Sequence, residues 1–258
     1  MSLLQVRDLH KAYGDFRAVQ GVSFGLEPGE MLALIGPNGA GKSTTFNMIG
    51  GQIAANQGTV CLQGKEILGR QARDIWQLGV GRTFQIAATF ASLTVVENVQ
   101  MTLLSFHRKI FSFFRPAASQ YRQQALDLLA QVGMEDQADR PCSELAYGDV
   151  KRVELAMALA NDPVLLLMDE PTAGMAPQER NELMALTRKL AKQRKMGVLF
   201  TEHSMDVVFA YADRIIVLAA GWLIAEGTPE EIRNHPQVRE VYLGSGIGLE
   251  KLKEGLSS

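Results

Sequence analysis

The sequence predicts an α/β fold: a mainly parallel sheet wrapped by helices, with an N-terminal antiparallel β part and an inserted helical subdomain. Three observations predict it. Four apolar runs, Met31 to Ile35, Val164 to Met168, Gly197 to Thr201 and Arg214 to Leu218, have the character of strands buried on both faces, and helix-like stretches separate them. The first run leads through a glycine-rich turn, Gly36 to Thr44, into a helix-like segment from Phe46 to Gly50. The stretch from about Ile86 to Gly148 holds few strand signals and two expected helices.

Taken in order, Leu4, Val6 and Leu9 mark a first strand and Val22 to Leu26 a second. Glu27-Pro28-Gly29-Glu30 is a turn signal ahead of the Met31 run. In the middle, helices are expected over Thr94 to Phe106 and Ser119 to Val132, the second ended by Gly133. Tyr121, Ala125, Leu126, Leu128, Leu129 and Val132 form its apolar face, opposite Arg122, Gln123, Asp127 and Gln131. Between them, residues 106–115 mix aromatics with positive charge, which fits either a membrane-facing segment or a solvated helix end with a buried aromatic side. A further helix is expected over Val150 to Ala160, with the basic pair Lys151 and Arg152. Leu218 to Trp222 reads as the turn of a terminal hairpin, and Gly244 to Ser258 as a loosely ordered end. The expected division is residues 1–85 and 150–240 as the core, 86–149 as the inserted helical subdomain and 241–258 as a C-terminal tail.

Composition narrows the partners. The net charge of −2 supplies no global basic field, so nucleic acid is not an expected partner. Hydrophobic residues at 47% and charged residues at 21% are ordinary for a globular protein, which sets aside disorder and fibrous repeats. Cys61 and Cys142 have no metal-ligand spacing and read as reduced thiols. Charges in the first eight residues argue against a signal peptide, and no apolar run reaches membrane-spanning length, so any membrane connection is expected to run through another polypeptide.

The chemistry begins at Gly36-Pro37-Asn38-Gly39-Ala40-Gly41-Lys42-Ser43-Thr44, which meets the phosphate-loop pattern in full. Its glycines let successive N–H groups point into one concavity, and the following helix aims its positive dipole end at the same spot, so an anion belongs there. Lys42 reaches the β- and γ-phosphates of a nucleoside triphosphate, while the Ser43 hydroxyl is placed to ligate Mg2+. The run Val164 to Met168 ends in Asp169-Glu170, two carboxylates at the sheet edge: Asp169 for the magnesium shell, Glu170 to orient or deprotonate the attacking water. Gln85, closing Gly79 to Phe84, suits a magnesium ligand or a water-holding amide. His203, after the strand ending at Thr201, is either a γ-phosphate contact or a core histidine. Leu145-Ala146-Tyr147-Gly148-Asp149 precedes a helix, and Gly148 with that helix N-terminus offers donors to a phosphate.

These motifs, in this order from Tyr13 to about Gly227, resemble the nucleotide-binding subunit of an ATP-binding-cassette transporter, whose signature motif usually reads Leu-Ser-Gly-Gly-Gln. The resemblance implies a P-loop NTPase core that binds and hydrolyses ATP with Mg2+, Tyr13 against the adenine, and His203 as a switch histidine. It also implies a head-to-tail pair in which Ala146, Tyr147, Gly148 and Asp149 cover the ATP of the partner subunit. Implied partners are a sister ATP-binding subunit, unlike or like, two membrane permease subunits and an extracytoplasmic solute-binding protein. The implied location is the cytoplasmic face of the inner membrane, peripheral through the permeases. The chain departs from the family pattern at Ala146, which lacks the usual serine hydroxyl, at Tyr147, which replaces a glycine, and at Ala176, where an aspartate or asparagine is common. The Leu-Ala-Tyr-Gly signature, the segment Gly81 to Gln85 and the ending Gly227-Thr228-Pro229-Glu230-Glu231-Ile232 resemble the larger ATPase subunit of branched-chain amino acid importers. Importers of urea or another small amide or acid, and soluble cassette ATPases acting on ribosomes or DNA, are the alternatives.

Overall fold

The computed structural model describes residues 2–83, 89–107 and 121–243. Two sheets organise it. The first is antiparallel. Strands β1 (Leu4–Tyr13) and β2 (Phe16–Leu26) form a hairpin, joined by β4 (Gln57–Leu62) and β5 (Lys65–Glu66) in the order β2-β1-β4-β5. The second has six strands, ordered β10-β9-β3-β8-β7-β6, from β3 (Met31–Ile35), β6 (Val80–Thr83), β7 (Leu165–Asp169), β8 (Gly197–Thr201), β9 (Arg214–Ala219) and β10 (Trp222–Gly227). Five of these run parallel, and β10 returns antiparallel to β9 through the turn at Ala220-Gly221. An α/β architecture with an antiparallel β part is thus what the chain adopts.

The continuous apolar character of β3 follows from its position. Met31, Ala33 and Ile35 enter one core, packed with helices on that face, while Leu32 and Leu34 enter the other, between the two sheets. Alternation has nothing to report when both faces are covered. β7 divides in the same way, Leu166 and Met168 to the first core, Leu165 and Leu167 to the second.

The helices are α1 (Lys42–Ile49), α2 (Ala72–Gln77), α3 (Val95–Phe106), α4 (Arg122–Gln131), α5 (Tyr147–Ala158), α6 (Pro177–Arg194), α7 (Met205–Tyr211), α8 (Pro229–Asn234) and α9 (Pro236–Leu243). Between residues 89 and 149 the described elements are helical, apart from an isolated bridge between Thr94 and Pro141. There, Val95, Val96, Val99 and Leu103 of α3 share a core with Ala125, Leu128 and Leu129 of α4. Thr94 starts α3 with a capping box, its hydroxyl accepting from Glu97 N–H while the Glu97 carboxylate accepts from Thr94 N–H.

Several boundaries differ from the sequence expectation. The first two strands are ten and eleven residues long, not short pieces, because register shifts between Val6 and Leu9 and between Leu9 and Lys11 break the alternation that would announce them. α1 begins at Lys42 rather than near Phe46, so Lys42, Ser43 and Thr44 are its first turn. α5 begins at Tyr147 and ends at Ala158, not Val150 to Ala160. β7 starts at Leu165 and takes in Asp169 itself. Val241 to Leu243, expected in the tail, continue α9. Gln85, Ser119 and residues 108–115 of the aromatic-basic stretch lie outside the described residues, as does 244–258.

Candidate active site

β3 delivers the chain to the carboxyl edge of its sheet, and the loop from Gly36 to Gly41 turns it into α1. Gly41 is the N-cap residue, with φ of 101° and no side-chain cap. The first-turn N–H groups of α1 are therefore left facing the loop. A Cβ at Gly41 would stand 2.5 Å from the Ala18 carbonyl oxygen, so the loop is seated directly on the backbone of β2. The buried Lys42 Nζ donates to the carbonyls of Gly36, at 2.7 Å, and Pro37, at 3.1 Å. Burial pulls the Lys42 ammonium below the ordinary lysine value, and the Glu170 and Asp169 carboxylates oppose that shift.

Residues 38–44 line a cleft of about 200 Å3 together with Phe16, Ala18, Glu170 and His203. Next to Glu170, the parallel pairing of β7 and β8 sets Asp169 beside Thr201. Thr201 Oγ1 donates to Asp169 Oδ1 at 2.8 Å and accepts from the Glu170 N–H at 3.0 Å. Glu170 itself sits at φ of 47°, a left-handed turn that swings its side chain off the strand direction. Glu170 Oε1 lies 2.8 Å from His203 Nε2. Behind this pair, the buried Glu202 carboxylate accepts from both Thr172 N–H and Thr172 Oγ1, at 2.9 and 2.7 Å, which locks the two loops together. The structure thus joins Lys42, Ser43, Glu170 and His203 around one space, and places Asp169 at its edge.

The hard oxygen donors fit a magnesium ion. Ser43 is exposed in the first turn of α1, and Asp169 keeps its second carboxylate oxygen toward Arg82, 3.9 Å from Nη2. Among the described residues no group of three or more His, Cys, Asp or Glu could hold a metal.

Two expected sets of residues stand elsewhere. Tyr13 is exposed at the end of β1, does not line the cleft, and has the Lys11 ammonium 5.0 Å from its ring centroid. Ala146, Tyr147, Gly148 and Asp149 also lie off this cleft. Ala146 is the N-cap residue of α5 and supplies no side-chain cap. Tyr147 is exposed, with Lys151 Nζ 5.8 Å from its ring centroid. Gly148 is buried against the Glu179 side chain, whose Oε1 would lie 2.9 Å from a Cβ at that position. Sequence reasoning did not single out Phe16, Arg82, Thr172, Thr201 or Glu202. The hydroxyls of Thr172 and Thr201 flank the Asp169-Glu170 pair and carry no motif spacing of their own; Phe16 stood beside a turn with Tyr13 as the nearer match to a known pattern.

Residues 19–173 match the family model described as ABC transporter, and residues 223–247 match one described as branched-chain amino acid ATP-binding cassette transporter. The chain is 39% identical over 252 residues to the high-affinity branched-chain amino acid transport ATP-binding protein LivG of Escherichia coli (strain K12), covering 94% of this chain and 98% of that relative. It is similar to a nucleotide-free ATP-binding cassette from an ABC transporter at 32% identity and TM-score 0.83, over 95% of this chain and 100% of that one. A bacterial ABC transporter cassette solved as a dimer is similar at 27% identity and TM-score 0.74, over 88% of this chain and 98% of that one.

Proposed function

This chain belongs to the ABC transporter family, and from that premise we propose that it is the ATP-hydrolysing subunit of an importer for branched-chain amino acids. One observation carries the ATPase chemistry: residues 38–44, Glu170 and His203 share a single cleft. The solute is supported by the likeness to LivG along nearly the whole chain and by the separate branched-chain match over residues 223–247.

In this reading the phosphate loop and the first turn of α1 hold the β- and γ-phosphates, and Lys42 exchanges its two carbonyl acceptors for phosphate oxygens. Ser43 and Asp169, with Gln85 as a further candidate ligand, would hold a magnesium ion, which would supply charge neutralisation at the phosphoryl oxygens. Glu170 orients the attacking water and takes its proton, and ADP leaves with the β-phosphate oxygen. His203 fixes the Glu170 carboxylate through the 2.8 Å contact and faces the γ-phosphate position.

The uncapped, exposed start of α5 supports the second role, in which Ala146 to Asp149 close over the nucleotide of a sister cassette. The partner is an unlike or a like cassette, and two permease subunits with an extracytoplasmic binding protein complete the system. No helix among the described residues is long and apolar enough to cross a membrane, so the proposed place at the cytoplasmic face is reached through the permeases. Glu170→Gln is expected to retain ATP binding and lose turnover by about 10²- to 10⁴-fold, read by phosphate release. Wild-type turnover in that variant refutes Glu170 as base. Cells expressing it in place of the native protein should lose leucine, isoleucine and valine uptake; loss of urea uptake alone would reassign the solute.

A further inference from the structure

We infer that Glu202 is a positioning residue for hydrolysis: its buried carboxylate holds Glu170 in the left-handed geometry from which it takes the proton of the attacking water. The inference rests on the ATPase reading above and deepens it. Neither Glu202 nor its partner Thr172 lines the cleft, so Glu202 acts through another group.

Three successive residues of one loop grip the other. Thr201 Oγ1 bonds Asp169 Oδ1 and the Glu170 N–H, Glu202 Oε1 accepts from Thr172 N–H and Thr172 Oγ1, and His203 Nε2 meets Glu170 Oε1. The middle grip is the deepest, with Glu202 5% and Thr172 2% exposed. Burying a carboxylate is costly, and here two short hydrogen bonds from a single residue offset that cost. Their effect reaches Glu170 through a stiff link. Glu170-Pro171-Thr172-Ala173 is a turn closed by the Ala173 N–H on the Glu170 carbonyl at 3.2 Å, and the ring of Pro171 fixes φ at its second position. Whatever holds Thr172 therefore holds Glu170. That hold has work to do, because a φ of 47° on a residue with a side chain persists only where the surroundings impose it. Without Glu202, Glu170 relaxes toward ordinary backbone angles and its carboxylate leaves the position from which it reaches the water.

The test is steady-state ATP hydrolysis by the full-length protein, co-purified with its transporter subunits, alongside equilibrium binding of ATP with magnesium. Glu202→Ala is expected to lower kcat about 10- to 100-fold, with KM and ATP affinity within about twofold of wild type. Glu202→Gln keeps an acceptor oxygen for both donors and should restore kcat to within about threefold. Thr172→Val removes one donor at little change in volume and should also lower kcat, while Thr172→Ser should restore it; this pair decides the matter if Glu202→Ala does not fold. A merely structural role would not produce the expected result in the Glu170→Gln background, where Glu202→Ala should change residual turnover by less than about twofold, because the group it positions is gone. Wild-type kcat in Glu202→Ala or in Thr172→Val overturns the inference. So does an equal fall in ATP affinity and kcat, a Glu202→Gln rate as low as that of Glu202→Ala, or the full loss again in the Glu170→Gln background. Wild-type turnover in Glu170→Gln itself refutes Glu170 as base and this inference with it, whereas blocked Glu170→Gln beside normal Glu202→Ala refutes this inference alone.

Discussion

Lys42 shows how little freedom the phosphate-binding residues have. It is buried, its ammonium is met by two backbone carbonyls, and burial holds it below the usual lysine range. The cation is thus held in place by the same loop whose N–H groups attract the anion. Gly41 is constrained from two directions, since its φ of 101° disfavours any side chain and its missing Cβ faces the Ala18 oxygen. Gly41→Ala is therefore expected to destabilise the fold by about 1–3 kcal/mol, seen as a lower urea midpoint at unchanged m. It should also weaken tripolyphosphate binding, because the loop cannot stay seated on β2. Glu170 presents the opposite case, a non-glycine residue held in left-handed geometry at the reacting end of the cleft, with its N–H tied to Thr201.

At the scale of elements, β3, β7, β8 and β9 were legible because strands buried on both faces write themselves as unbroken apolar runs. β4, β5 and β6 were not. β4 alternates weakly around exposed Gln57 and Thr59, β5 is two exposed residues, and β6 contains Gly81 and Arg82. The start of α1 was displaced because glycine, lysine and hydroxyl residues carry poor helix periodicity, although the chemistry of a phosphate site requires the helix to begin among them. Motif residues of the site could be read from spacing; the Thr201 and Glu202 supports could not, since only the pairing of β7 with β8 brings them beside Asp169 and Thr172. Helix α3 owes its start to the reciprocal cap at Thr94 and Glu97. Thr94→Ala should cost about 1 kcal/mol, expressed as faster hydrogen exchange in the first turn of α3 with little change in β3.

In the molecule as a whole, the cleft around Lys42 and the exposed start of α5 share no residue. In the proposed pair each finds its complement on another chain, and Ala146 leaves that contact short of one hydroxyl. Ala146→Ser, placed in the Glu170→Gln background to prevent turnover, is expected to tighten ATP-dependent dimerisation by about 0.5–1.5 kcal/mol per site, measured by sedimentation. An unchanged dimer constant would mean that position 146 does not face the partner's phosphate. Gln20 bonds across to Ala220 and Gly221, and β3 sits between β8 and β9, so the centre of the sheet is built from both ends of the chain. This has a consequence for the newborn polypeptide. At roughly 5–20 residues per second, Met31 to Ile35 leave the ribosome on the order of ten seconds or more before either neighbouring strand exists. The loop that follows β3 is therefore translated early and becomes competent late, because β3 has neither of its partners until β8 and β9 emerge.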